Sequence, residues 1–296
     1  MPTSRKPRLL VIGATGFVGA HVVRAAQPHY DVISGARQTA PDDSSVAVDI
    51  TNAESVRAAF EQAHPDAVIL TAALADIDRC EREQEFAERV NLHGPRYVSE
   101  ECRRLGARLL FTSTDAVFDG LLTVYPEDAT PTPVNFYGRT KARAEAAIAE
   151  LLPTATIVRV SLVLGRGLRP GTNSYIDKLA TSFAAGTKVV TPTFEYRNPI
   201  DVSTLAGILV ELAGREVRGI FHVGASDKIV RYDLARRVAV ALGASPDLVV
   251  PQSAPTPGRA PRGIDDFLVC RRLPELIGFV PPTCQQVIER AVHGTA

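Results

Sequence analysis

The strongest constraint on the fold is an alternation along the first half of the chain. The runs "LLVI" (9–12), "DVISGA" (31–36), "SVAV" (45–48), "AVILT" (67–71), "RLLFTS" (108–113) and "TATIVRV" (154–160) have the length and composition of buried strands. Helical patterns occupy 17–27, 53–63, 83–104 and 136–152, with a break expected near Gly94-Pro95. The second helix opens on Thr51-Asn52-Ala53-Glu54, which fits a capping box: Thr51 accepts from an early amide and Glu54 reaches back. Strands apolar on both faces, separated by helices, imply a parallel sheet covered on both sides. The expected fold class is α/β, a doubly wound parallel (Rossmann) sheet.

Beyond residue 165 the rhythm is irregular. Helices are expected at 173–185, 203–213 and 231–242, and a strand at 219–224. The stretch "PQSAPTPGRAPRG" (251–263) is too rich in proline and glycine for a regular element and reads as a loop. The expected division is a nucleotide-binding domain over 1–165 and a smaller, mixed substrate-binding lobe over 166–296, with some segments returning to the first. With 296 residues, 45% of them apolar and 22% charged, there is material for a sizeable core. A formal net charge of zero, with no run of one sign, argues against a nucleic-acid surface or a membrane-seeking basic face. Cys80, Cys102, Cys270 and Cys284 lie far apart, so neither a zinc site nor a disulfide framework is expected, and reduced thiols suit the cytoplasm. The apolar run before Gly13 is too short for a signal-peptide core, and no stretch approaches a membrane span.

"VIGATGFVGA" sets Gly13, Gly16 and Gly19 at three-residue intervals where the first strand turns into a helix. Such a turn lets the backbone of Gly13 to Gly19, with Thr15, Phe17 and Val18, approach a pyrophosphate at a helix N-terminus. The same glycines also suit a tight turn with close helix–strand packing and no ligand. Arg37 ends the second strand where an NAD-preferring chain usually carries an acidic residue; an arginine suits a 2′-phosphate, or is simply a solvated surface cation. Asp49-Ile50 ends the third strand, placed to meet an adenine edge, although an aspartate there also begins turns. NADP(H) is the favoured cofactor and NAD(H) the alternative.

Tyr137 and Lys141 lie four residues apart in "NFYGRTKARAE", about one helical turn, and so on one face. An isolated pair of this kind is usually a tyrosine packed over a lysine stem. Here it follows "FTSTDAVFDG", which places Thr114 and Asp115 at the carboxyl edge of the sheet, where ligands of open α/β folds bind. A cation beside a phenol favours the phenolate, and a phenol tuned in this way can protonate an oxygen.

In their order and approximate spacing these motifs resemble the extended branch of the short-chain dehydrogenase/reductase superfamily. "STDAVFDG", "YPEDATPTPVNFYGRTKARAE" and "VNLHGP" (90–95) look most like the dTDP-4-dehydrorhamnose reductase family. The resemblance runs through most of 8–165 and continues more weakly through "RNPIDVSTLAGILVEL" and "APRGIDD". It implies Tyr137 as acid/base, Lys141 as its partner and a holder of the nicotinamide ribose, Thr114 as hydrogen bonder to the substrate oxygen, and Asp115 as a substrate-side contact. It also implies Ala72 and Ala73 as small residues alongside the cofactor. Asn91 matches a family asparagine that either holds its helix or orients water. Arg197, Arg259 and Arg262 would clamp a diphosphate or carboxylate, the alternative being solvated loop arginines. His222, in an apolar strand, reads as a core residue rather than a ligand.

Two departures bear on the substrate. Where the family carries a tryptophan this chain has Leu162, and where it carries a tyrosine after the aspartate this chain has Ala116. Both remove aromatic surface from the expected sugar position and leave the proton-transfer group intact. The function expected is an NADPH-dependent reductase of a ketone, with a nucleotide-linked 4-keto sugar as the expected substrate. The alternatives are a nucleotide-sugar epimerase on the same scaffold and an NADP-binding regulatory subunit similar to the methionine adenosyltransferase β subunit. Dehydratases place a glutamate after the aspartate, so Ala116 disfavours dehydration. The partners implied are a small-molecule substrate and a second copy of the chain, the homodimer that many relatives form.

Overall fold

The computed structural model describes residues 5–38 and 44–294. Strand β1 (Arg8–Ile12) is buried over its last four residues and leads into helix α1 (Phe17–Ala26). The chain continues through β2 (Asp31–Ala36), β3 (Ser45–Ala47), α2 (Ala53–Ala63) and the wholly buried β4 (Ala67–Leu70). Helices α3 (Ile77–Arg82), α4 (Gln84–Glu88) and α5 (Gly94–Leu105) precede β5 (Arg108–Thr114) and the long α6 (Phe136–Leu151). Next come β6 (Thr156–Val160), β7 (Val163–Leu164), α7 (Tyr175–Ala184), β8 (Val189–Pro192), β9 (Tyr196–Arg197), β10 (Ile200–Asp201) and α8 (Val202–Ala213). The chain ends with β11 (Gly219–Val223), β12 (Ile229–Val230), α9 (Arg231–Ala241), β13 (Val249–Gln252), α10 (Arg272–Ile277) and α11 (Cys284–His293).

Seven strands form one sheet in the order β11-β6-β5-β4-β1-β2-β3. The β1–β2, β1–β4, β2–β3 and β4–β5 pairings are parallel, and helical crossovers join β1 to β2 and β4 to β5. The winding reverses between β1 and β4, which opens a crevice at their carboxyl ends, the usual ligand position in such sheets. Among the described residues no helix is long and apolar enough to cross a membrane.

The chain divides into two compact units. The first comprises Met1–Ser113, Arg139–Val158 and Ala206–Ile220; the second comprises Thr114–Gly138, Arg159–Leu205 and Phe221–Ala296. The first has its core between sheet and helices, where Leu10, Ile12, Val68 and Phe111 pack with Phe60, Val98 and Ile148. The second buries Ile176 and Leu179 of α7, Leu234 and Val238 of α9, and Val287 and Ile288 of α11 in a separate cluster.

Three local expectations are corrected or refined. Helix α2 is capped by Asn52, whose side chain accepts from the amides of Glu54 and Ser55, while Thr51 donates its hydroxyl to Asp49. The turn at Asp49 competes for the threonine and wins, since it satisfies both the Thr51 amide and its hydroxyl. The break expected near Gly94-Pro95 takes the form of a wide π-type turn over Arg89–His93 that runs without a gap into α5, with Pro95 in the first turn of α5. That wide turn carries Asn91, which accepts from the Leu74 amide at 2.8 Å and donates to the Leu74 carbonyl at 3.0 Å. Asn91 therefore ties down the segment after β4. Finally, Pro251 and Gln252 belong to β13, paired in parallel with β8. A two-stranded ribbon is all edge, and an edge tolerates proline.

Candidate active site

The glycine turn lies against the carboxyl ends of β2 and β4. Gly13 has φ +95°, and its amide donates to the Gly35 carbonyl at 2.9 Å. A Cβ on Gly13 would stand 2.7 Å from both the Ala72 amide nitrogen and Thr71 Oγ1. A Cβ on Gly19 would stand 2.0 Å from the Gly13 carbonyl oxygen. The turn therefore requires glycine for packing alone. Yet Thr15 and Gly16 are exposed, Phe17 and Val18 are half-buried, and no side chain caps α1, whose N-cap is Gly16. An accessible, uncapped helix start reached through bare backbone suits a phosphate group. The residues present fit a dinucleotide.

Around this turn, Arg37 is exposed and Asp49 is half-buried. Hydrogen bonds from the Thr51 amide and hydroxyl, helped by Arg37, hold the Asp49 carboxyl below its ordinary range. Ile50 is buried and packs where a Cβ on Gly94 would lie, 3.0 Å from its side chain. Ala72 is half-buried and Ala73 exposed.

Further along the first unit, Lys141 is 2% exposed. Its Nζ donates to the Thr112 carbonyl at 2.8 Å and stands 3.8 Å from the centre of the Phe111 ring. Burial pulls the ammonium down to about 7, against the opposing pull of Glu145 one turn on. Glu145 is itself buried and accepts from Ser113 Oγ at 2.5 Å. A lysine whose folded value lies below its unfolded one costs stability most at low pH. That cost shrinks as pH rises from about 7 towards the unfolded value near 10.4. Lys141→Met is accordingly expected to melt higher than the wild type at pH 6 and to lose that advantage by about pH 10. A difference in melting temperature that does not vary with pH would refute the assignment of a strained buried ammonium.

In the second unit, Tyr137 occupies the first turn of α6 and is 9% exposed. Asn135 starts this helix: its Oδ1 accepts from the Gly138 amide at 2.8 Å, and its Nδ2 donates to the Pro261 carbonyl at 3.0 Å. A Cβ on Gly138 would stand 2.0 Å from the Ala116 carbonyl oxygen, so the helix start and the strand end are packed backbone to backbone. Thr114 and Asp115 are buried; Thr114 Oγ1 donates to Asp115 Oδ1 at 3.1 Å and accepts from the Ala116 amide at 3.2 Å. Ser161 Oγ donates to Asp115 Oδ2 at 3.0 Å. Arg197 brings Nε to 3.7 Å from Asp115 and Nη2 to 3.3 Å from Asp266.

Thr114, Asp115 and Arg197, singled out separately in the sequence, thus share one buried polar group. The Arg197 guanidinium lies inside this group, where Nη1 also donates to the Gly263 carbonyl at 3.1 Å. Arg259 pairs with the buried Glu195 at 2.9 Å, and Arg262 donates to the Ala260 carbonyl. Leu162 is half-buried against the second core, and Ala116 is buried. His222 is a core residue as expected: burial and the neighbouring Arg159 push it down to about 3, so it is neutral. Sequence reasoning passed over Ser161, Asp266, Asn135 and Glu145. Asn135 and Glu145 flank the Tyr–Lys pair and were within reach of pattern reading; Ser161 and Asp266 were not, because only folding brings "RVSLVLG" and "APRGIDD" to Asp115.

The family described as RmlD substrate binding domain matches residues 7–296. The chain is 32% identical over 285 residues to the dTDP-4-dehydrorhamnose reductase of Mycobacterium tuberculosis, covering 94% of this chain and 89% of that one. It is 26% identical over 280 residues to methionine adenosyltransferase 2 subunit beta of Xenopus tropicalis, covering 92% and 83%. The crystal structure of dTDP-4-dehydrorhamnose reductase from Bacillus anthracis, in complex with NADP, is similar with a TM-score of 0.88 at 25% identity, covering 98% of this chain and all of the other.

Proposed function

The chain belongs to the RmlD substrate binding domain family, and from that premise we propose that it is an NADPH-dependent reductase of a ketone on a nucleotide-linked sugar. The first unit, with its uncapped glycine turn, takes the cofactor: Gly13, Gly16 and Gly19 admit the pyrophosphate, Arg37 meets the 2′-phosphate, and Asp49 and Ile50 border the adenine. The second unit takes the sugar. NADPH, when bound, supplies the hydride. Tyr137 gives its phenolic proton to the carbonyl oxygen, and Lys141, one turn along α6, favours the phenolate that remains. Thr114, turning its hydroxyl from Asp115, donates to the same oxygen and stabilises the charge that builds there.

The observation that carries this reading is Lys141. Packing alone does not account for a buried ammonium, and with the Tyr137 phenol one turn away it has a use in proton transfer beyond holding the nicotinamide ribose. An ammonium retained against its burial cost points to chemistry. The test is to supply purified protein with NADPH and a dTDP-4-keto-6-deoxy sugar. A reductase consumes NADPH and forms alcohol in equal amounts. An epimerase interconverts sugars without net loss of NADPH, and a binding subunit shows only a thermal shift. Either of the last two results would displace the proposal.

A further inference from the structure

The buried group around Asp115 holds more negative charge than positive. Two carboxylates, Asp115 and Asp266, flank the one guanidinium of Arg197, and the three side chains are 12%, 2% and 9% exposed respectively. Their hydrogen bonding is unequal. Asp115 accepts from two hydroxyls, those of Thr114 and Ser161, in addition to its ion pair. Asp266 has Arg197 at Oδ2, while its Oδ1 is buried with no hydrogen-bond partner. Oδ1 and Oδ2 are both close enough to Gly263 that any side chain there would collide, so water has little room on that side. The other charged groups that face Asp266 are Asp265, which pairs with Lys228, and Glu195, which pairs with Arg259. Each of these carboxylates is balanced by its own cation. Arg197 has one positive charge for two.

We propose that Asp266 is a positioning residue that carries a proton in the working enzyme, so that Arg197 serves Asp115 alone and Asp115 in turn presents the Thr114 hydroxyl. The inference rests on the reductase reading for its catalytic consequence, but not for the protonation itself. Burial raises the Asp266 carboxyl well above its ordinary range, and the neighbouring carboxylates of Asp115, Asp265 and Glu195 add to the effect, against the opposing pull of Arg197. When Asp266 ionises it competes for Arg197 and leaves Asp115 less well balanced. Asp115 then holds the Thr114 hydroxyl more tightly and sets negative charge close to the oxygen on which charge must build. The effect should fall on kcat more than on KM, because it concerns charge that develops only during reduction.

The linkage has a definite sign. A carboxyl raised in the folded state favours folding below its unfolded value near 4 and loses that contribution as pH rises through the folded value. Asp266→Asn, which cannot ionise, should therefore gain melting temperature relative to the wild type progressively from about pH 5 upward. With NADPH and a dTDP-4-keto-6-deoxy sugar, the alkaline fall in kcat should begin at higher pH in Asp266→Asn than in the wild type. A stability difference that is flat with pH would overturn the protonation. A pH-dependent difference with an unmoved kcat profile would overturn the positioning role. Should the variant not fold, carboxyl ¹³C resonances of the wild type decide the matter: one buried aspartate titrating far above the others is expected, and none would refute the proposal. If no keto sugar is reduced, the reductase reading fails while the stability arm still judges Asp266.

Discussion

Tyr137→Phe should lower the rate of ketone reduction by about 10²–10⁴-fold, the usual contribution of a positioned proton donor. The substitution removes one oxygen and leaves the ring, so the 9% exposed site keeps its packing. The helix start is held by Asn135 through the Gly138 amide and should persist. Stability should change by no more than about 1 kcal/mol, the ordinary net worth of a lost hydrogen bond. NADPH should still raise the melting temperature, because the glycine turn at Gly13 to Gly19 is untouched; at 100 times its dissociation constant the ligand adds about 2.7 kcal/mol. Steady-state rates and thermal shifts on the same preparation separate the two effects. If the variant retained activity within about tenfold of the wild type, proton donation by Tyr137 would have to be abandoned.

Gly19→Ala should be strongly destabilising, against the expectation from helix propensity. In an exposed helix interior alanine is better than glycine by about 1 kcal/mol. At position 19 the added Cβ would lie 2.0 Å from the Gly13 carbonyl oxygen and 2.9 Å from Thr71 Oγ1. The first obstacle is backbone and cannot rotate away. Overpacking of this kind costs about 1–3 kcal/mol or more, so the clash outweighs the propensity. Relief requires α1 to move off the turn, which also spoils the approach of backbone to pyrophosphate. Loss of stability in urea and loss of the NADPH thermal shift are both expected. Gly207→Ala is the control: it lies in α8 with nothing within 4 Å of the added Cβ, and should stabilise by about 1 kcal/mol. Equal responses at the two glycines would show that propensity, not close packing, governs the turn.

Much of this molecule can be read from local pattern. The runs at 9–12, 31–36 and 67–71 match β1, β2 and β4 to within a residue; β1 and β4 are legible because a strand buried on both faces is continuously apolar. The spacing of Gly13, Gly16 and Gly19 marks the first strand–helix turn, where Gly19 packs on the nearby Gly13 carbonyl, although Gly13 itself is also held to glycine by the distant Thr71 and Ala72. Tyr137 and Lys141 fall on α6 as the four-residue spacing requires. Gly13 apart, these features depend on near neighbours in the chain, and any fold built on them inherits them.

Other features depend on what folding brings in from elsewhere. Asn52 rather than Thr51 caps α2 because Asp49 claims the threonine, and the wide turn at Arg89–His93 carries Asn91 to Leu74. Arg197 looks in the sequence like a hand for a ligand's phosphate; in the structure its guanidinium is committed to Asp115, Asp266 and the Gly263 carbonyl. Asp266 lies in the quoted string "APRGIDD", but nothing local to that string marks its role. Its chemistry comes from burial beside a guanidinium contributed by a segment 69 residues earlier in the chain (266 minus 197), and desolvation and long-range pairing are properties of the assembled interior. The order of apolar, glycine and polar residues was enough to determine the scaffold and to set Tyr137 and Lys141 one turn apart on α6. Which charges share a cation, and therefore which groups hold protons, was decided only when the tertiary structure removed them from water.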